Sequence, residues 1–312
     1  MKNKSKSIFT KPYVLLTLAL GSCFLWGSAF PSVKIGYRLF SIGANDTYEK
    51  ILFAGYRFFL SSMMIFAFCL ITGRSLKLKK SHVPKVAFLG ILQTTTQYVF
   101  FYIGLSNTSG TIGSILSASS TFFTVIIAHF FFKEDRLTLK RIAGVVLGFI
   151  GVSLANMNSG GIQGSFSLTG EGFIIISSLV GALAGIYIKR ISKDISPFAI
   201  SGYQLLIGSL ILVAIGFLGG GTDIIFTSTG LLLLMYLGFI SAAAFTLWSI
   251  LLKYNDVGRV SIYKFTIPLF GTLLSYMFLD ESFLGLYVIV AIILVSLGIF
   301  LINLRPKNKL EG

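Results

Sequence analysis

Phe131-Phe132-Lys133-Glu134-Asp135-Arg136-Leu137-Thr138 forms a charged turn between two apolar segments, one reaching back to Asn107 and one forward to Asn156. Upstream of the turn, Ser114, Ser117, Thr121 and Thr124 recur at helical spacing, so a helix here carries a stripe of hydroxyls on one face. The pattern returns 147 residues later. Phe131, Glu134, Leu137 and Leu139 fall on Phe278, Glu281, Leu284 and Leu286, and Leu147, Gly151, Leu154 and Asn156 fall on Leu294, Gly298, Leu301 and Asn303. The same shift places Tyr56 on Tyr203, Arg57 on Gln204 and Ser62 on Ser209. A register kept over so much of the chain makes the sequence two copies of one unit, at about 1–156 and 157–312.

Only 12% of the 312 residues are charged and 54% are hydrophobic, far from the balance of soluble domains. The apolar residues gather in runs able to cross a hydrocarbon core of about 30 Å. These runs lie at 12–33, 50–72, 84–105, 107–131, 138–156, 170–190, 197–219, 229–252, 257–279 and 283–304. The expected fold is an all-α polytopic membrane protein of ten transmembrane helices with short connections, embedded in a lipid bilayer. The net charge of +15 could point to nucleic acid until the charges are placed. With the N-terminus threaded from the cytoplasm, 21 of the 26 Lys and Arg fall in cytoplasmic segments, and only Lys34, Arg38 and Lys50 lie outside. This is the positive-inside distribution. It puts both termini in the cytoplasm, as for a bacterial cytoplasmic membrane protein, and removes the case for a nucleic-acid partner. Cys23 and Cys69 lie within spans, and the histidines are only His82 and His129, so no disulfide framework, metal site or cofactor is indicated.

Polar groups inside the spans need partners, because hydrocarbon offers none. The first span holds Trp26, too deep for an interfacial belt, and the second holds Arg57. The third carries Gln93, Thr96 and Gln97 on one face, with Tyr98 next in sequence. Ser117, Trp248, Tyr263 and Lys264 lie in the fourth, eighth and ninth spans. The expected lining of a substrate cavity is Trp26, Gln93, Gln97, Tyr98, Ser117, Trp248, Tyr263 and Lys264. Interhelical packing and hydrogen bonding, or snorkelling of the two cations, are the alternatives. Arg57, Thr121, Pro268 and Gly271 are expected to serve structure and gating. Lys264, Pro268 and Gly271 share one face of a continuous helix, and the repeat matches Lys264 with Ser117 and Pro268 with Thr121. Gly144 with Gly148, and Gly181 with Gly185, read as sites of close helix packing and nothing chemical. No Asp or Glu stands in the interior of a span, whereas Arg57 and Lys264 do. That arrangement suits a substrate bearing a carboxylate better than a lipophilic cation.

Five spans per unit is an odd number, so the second unit enters the membrane from the opposite side. Inverted repeats of this kind belong to secondary transporters, with the substrate near the midplane between the halves. The chain resembles the ten-helix EamA-type exporters of the drug/metabolite transporter superfamily. The resemblance rests on Trp26-Gly27-Ser28 with Lys34, Arg57, the 131–138 turn, Gly144 and Gly151, and Pro268 with Leu279-Asp280-Glu281. It implies a cavity between the halves and export of amino acids or other small metabolites without ATP hydrolysis. Thr121 departs from the pattern, which often has proline there, so the resemblance implies a bend in the ninth span more strongly than in the fourth. A nucleotide-sugar carrier or lipid flippase of the same superfamily is the alternative. A membrane enzyme lacks support, because no cluster of catalytic residues is present.

Overall fold

A computed structural model describes residues 8–132, 137–157, 166–279 and 286–303, and all regular structure among them is helical. In chain order the first helices are α1 (Pro12–Leu39) and α2 (Thr47–Ile71). Next come α3 (Val83–Leu89), a π-helical stretch Gly90–Thr96 and α4 (Gln97–Ser106) as one rod. Then follow α5 (Gly110–Ser117), α6 (Ser119–Phe131) and α7 (Leu139–Met157). A π-helical turn at Leu168–Gly172 leads into α8 (Phe173–Ile191), followed by α9 (Pro197–Leu218) and α10 (Ser228–Tyr254). The last are α11 (Val257–Ser261), a 3-10 turn Ile262–Phe265, α12 (Thr266–Leu279) and α13 (Leu286–Asn303).

Eight helical stretches among the described residues are long and apolar enough to cross a membrane. α7 and α13 occupy the places of the fifth and tenth expected spans. The charged turn at 133–136, the Asp280-Glu281 turn and residues 158–165 of the expected linker lie outside the described residues.

Helix starts follow local chemistry. Pro12 and Pro197 open α1 and α9 from within the first turn, where a missing N–H costs nothing. The side chains of Ser109 and Thr227 cap α5 and α10 by accepting from the amides of Ile112 and Gly230, each at 3.0 Å.

Glycines set the closest helix contacts. A Cβ on Gly55 would lie 2.7 Å from Val213 Cγ2, where α2 crosses α9, and one on Gly298 would lie 2.6 Å from the Gly144 carbonyl, where α13 crosses α7. The Gly144/Gly148 spacing therefore does what its sequence suggests. A Cβ on Gly271 would lie 2.4 Å from Ser114 Cβ, between α12 and α5. Gly271 is thus a packing point between two helices.

The fourth and ninth spans are both interrupted. α5 ends at Ser117 and α6 starts at Ser119, with the Thr121 amide donating back to the Ala118 carbonyl at 2.9 Å. In the ninth span the 3-10 turn at Ile262–Phe265 separates α11 from α12. Thr121 and Pro268 are each the third residue of the helix that resumes, where backbone amides lack an α-helical acceptor. The fourth span therefore breaks without proline. Thr121 also ties the two interruptions together, its Oγ1 donating to the Ser261 carbonyl at 3.2 Å. Because the ninth span is not one continuous helix, the expected shared face of Lys264, Pro268 and Gly271 does not hold as a single functional face.

Candidate functional site

Midway along the bundle, α1, α2, the π-helical stretch with α4, α5, α6, α8, α10, the 3-10 turn and α12 line a cavity with a water-accessible volume of about 90 Å³. Seven of the eight residues expected to line a cavity do so: Trp26, Gln93, Gln97, Tyr98, Ser117, Trp248 and Lys264. Tyr263 does not. It lies beside Lys264 in the 3-10 turn, and its carbonyl accepts from the Cys23 thiol at 3.1 Å. Adjacent residues of a helical turn face different ways, and here Lys264 faces the cavity while Tyr263 packs against the core.

Lys264 is held by aromatic faces. Its ammonium lies 5.9 Å from the Trp26 ring centroid and 5.3 Å from that of Trp248, within cation–π range. The two indoles meet edge to face with centroids 5.0 Å apart. The ammonium has no hydrogen-bond acceptor among the described residues.

Arg57 lines the same cavity and is 1% exposed, so it does not snorkel. Its Nε donates to Ser241 Oγ at 2.9 Å, and an Nη donates to the Tyr102 hydroxyl at 3.1 Å. The guanidinium also sits 5.1 Å from the Phe58 ring centroid. Tyr102 is anchored in turn, its carbonyl accepting from the Tyr37 hydroxyl at 2.9 Å. The cation is positioned by neutral oxygens and a ring, and no acidic side chain lines the cavity among the described residues.

Gln93 reaches the cavity from the stretch where the third span unwinds to π-helical geometry, a feature frequent at functional sites, and Gln97 from the first residue of α4 just beyond it. Gln93 Oε1 and Gln97 Oε1 are buried and accept no hydrogen bond from the described residues. Leaving such an acceptor empty costs about 1–3 kcal/mol. Each is an open position for a donor.

Sequence reasoning missed the contribution of α8. Ser177 and Ser178 line the cavity, as do Gly181 and Gly185. The two glycines are not a helix-packing pair. Nothing lies within 4 Å of where a Gly185 Cβ would be, and a Gly181 Cβ would meet the Gln97 amide at 3.0 Å. Adjacent serines in an apolar helix were the available signal for this wall.

Comparison with known proteins agrees with this architecture. A solved crystal structure superposes with a TM-score of 0.74 at 16% identity, covering 94% of this chain and 98% of that one. An uncharacterized transporter of Archaeoglobus fulgidus is 26% identical across 92% of this chain and 97% of its own. A probable amino-acid metabolite efflux pump of Salmonella typhimurium is 24% identical across 95% of this chain and 98% of its own. The model of the EamA-like transporter family matches twice, over residues 14–157 and 168–304. The chain belongs to the EamA-like transporter family, within the drug/metabolite transporter superfamily.

Proposed function

We propose that the chain is a secondary transporter that exports small carboxylate-bearing metabolites, amino acids first among them, by alternating access. The observation that carries the substrate reading is the central cavity. Among the described residues it presents Arg57 and Lys264 with no acid, two unpaired amide oxygens and an indole pair. In this reading Lys264 takes the substrate carboxylate, and Gln93 and Gln97 accept from its amino group. Trp26 and Trp248 cover its apolar side chain. The Salmonella relative, named as a probable amino-acid metabolite efflux pump, supports the same choice.

Alternating access follows from ten spans arranged as two inverted five-helix repeats, at about 1–156 and 157–312, with both termini cytoplasmic. Two observations support that arrangement. The family model matches each half separately. Helix packings between the halves also pair repeat equivalents, α2 with α9 and α7 with α13, while α5 packs on α12 as its counterpart α11 packs on α6. Other packings come in matched sets, among them α1 with α10 beside α8 with α4, and α2 with α10 beside α9 with the π-helical stretch. Such pairing lets the halves exchange conformations about a fixed site.

The test is transport by the purified protein in liposomes against amino acids, nucleotide sugars, lipids and quaternary ammonium compounds. Amino acids or related carboxylates should move, and Gln97→Ala and Trp248→Ala should each impair them. Robust ethidium transport unaffected by Lys264→Met, or carboxylate transport indifferent to both cavity variants, would reject the reading.

A further inference from the structure

A second cavity, of about 550 Å³, lies between α1, α2, α9 and α10 and shares no lining residue with the central one. Its walls are apolar. Its floor is one stripe of α10 from Phe239 to Ile250, widened where Ala242 and Ala243 present only methyl groups. Twelve residues of helix, eleven rises of 1.5 Å, make this floor about 16 Å long, close to the length of one extended acyl chain. Phe239 and Phe68, at its edges, are each about half exposed, so the groove opens sideways towards the membrane.

Arg74 closes one end of the groove. Its position is built into the backbone. Gly73 adopts φ +65°, and the Arg74 amide donates to the Cys69 carbonyl at 2.9 Å, ending α2 in a Schellman turn. The turn folds the side chain over the groove mouth, with the guanidinium 4.7 Å from the Phe198 ring centroid and 6.0 Å from that of Phe68. Arg74 is exposed, and it makes no ion pair or hydrogen bond from its side chain to the described residues. Residues 74–85 carry Lys77, Lys79, Lys80 and Lys85 besides, with no acid among them.

We propose that this groove is a site for an anionic phospholipid, with one acyl chain along α10 and the phosphate on the Arg74 guanidinium. The length and apolarity of the floor select the chain. The planar donors of an arginine held on two rings select the phosphate, and the surrounding lysines raise the local concentration of anionic lipid. A zwitterionic lipid offers the same chain and phosphate but brings its own cation into this basic field.

The experiment is native mass spectrometry of the full-length protein released from micelles holding equal phosphatidylglycerol and phosphatidylcholine of matched chains. The wild type should retain phosphatidylglycerol about tenfold over phosphatidylcholine, a margin of about 1.4 kcal/mol. Arg74→Ala should erase the preference, and Ala243→Leu, which fills the floor, should abolish retention of that lipid. Met64→Trp fills the groove from the opposite wall if Ala243→Leu fails to fold. Lys79→Ala removes equal charge from the same loop and should keep most of the preference. Equal retention of the two lipids by the wild type overturns the proposal. So does a preference that survives Arg74→Ala or filling of the groove, or one that Lys79→Ala reduces as much as Arg74→Ala.

Discussion

The interruptions of the fourth and ninth spans sit 147 residues apart, at the same point of the repeat, yet are made of different materials. Between α5 and α6 the sequence is Ser117-Ala118-Ser119, and hydroxyls take up backbone acceptors: Ser117 Oγ donates to the Gly113 carbonyl at 2.8 Å and Ser119 Oγ to the Leu116 carbonyl at 2.6 Å. Between α11 and α12 there is a 3-10 turn, a lysine and, three residues into α12, a proline. Serine and threonine side chains offer the backbone an alternative to helix, and proline removes a donor outright. Two chemistries reach one geometry, so packing across the halves, at Gly271 against Ser114 and Thr121 against Ser261, sets where the spans break. What the difference leaves unequal is charge, because only the ninth-span break carries a cation.

That asymmetry can be broken most severely at the cation. Lys264→Met should lower transport of the carboxylate substrate at least a hundredfold in liposomes, with the protein still monodisperse and its melting temperature little changed. The paired variant Ser117→Lys with Lys264→Ser moves the charge to the other break and should recover part of the lost substrate binding, measured by thermal stabilisation. No recovery would show that the indole pair, and not the charge alone, makes the site.

Gly271→Ala attacks the contact that joins the breaks. With Ser114 Cβ only 2.4 Å from the new methyl, α12 must move off α5, a strain of about 1–3 kcal/mol. The melting temperature in detergent should fall by several degrees. Trp248→Ala is smaller still. It removes one of two faces beneath the Lys264 ammonium, worth about 1 kcal/mol, and should weaken substrate binding about fivefold. Thr121→Pro should have the least effect, because residue 121 lies in the first turn of α6. It loses the bonds to Ala118 and Ser261, worth about 1 kcal/mol each at most, and gains a residue suited to a helix start. A collapse of expression on Thr121→Pro would show that the two breaks are not interchangeable.

The spans were legible because lipid imposes a length and apolarity that composition cannot hide, and most of the cavity lining because deep polar groups in apolar helices are few. Trp26, Gln97 and Lys264 stood out on those grounds alone. Tyr263 misled, because a deep tyrosine next to a cavity lysine reads as lining whether its ring faces the cavity or the core. Gly181 and Gly185 misled in the opposite direction. A glycine pair in a membrane helix looks the same whether a neighbouring backbone or empty space lies beside it, and only the fold distinguishes them. The groove behind Arg74 left little trace in sequence, since its floor is an ordinary apolar stripe of α10.

The open space beside Gly185 bears on how this chain could change its repertoire. The lining there is set by side chains that are absent, so a substitution to alanine or serine at 181 or 185 would resize the chamber while leaving Arg57, Lys264 and the indoles in place. Under the proposed reading, substrate size and substrate charge then rest on separate positions, and related chains could diverge in the first while keeping the second. Gly185 is the freer dial, since its new methyl meets nothing within 4 Å, whereas one at Gly181 must displace the Gln97 amide.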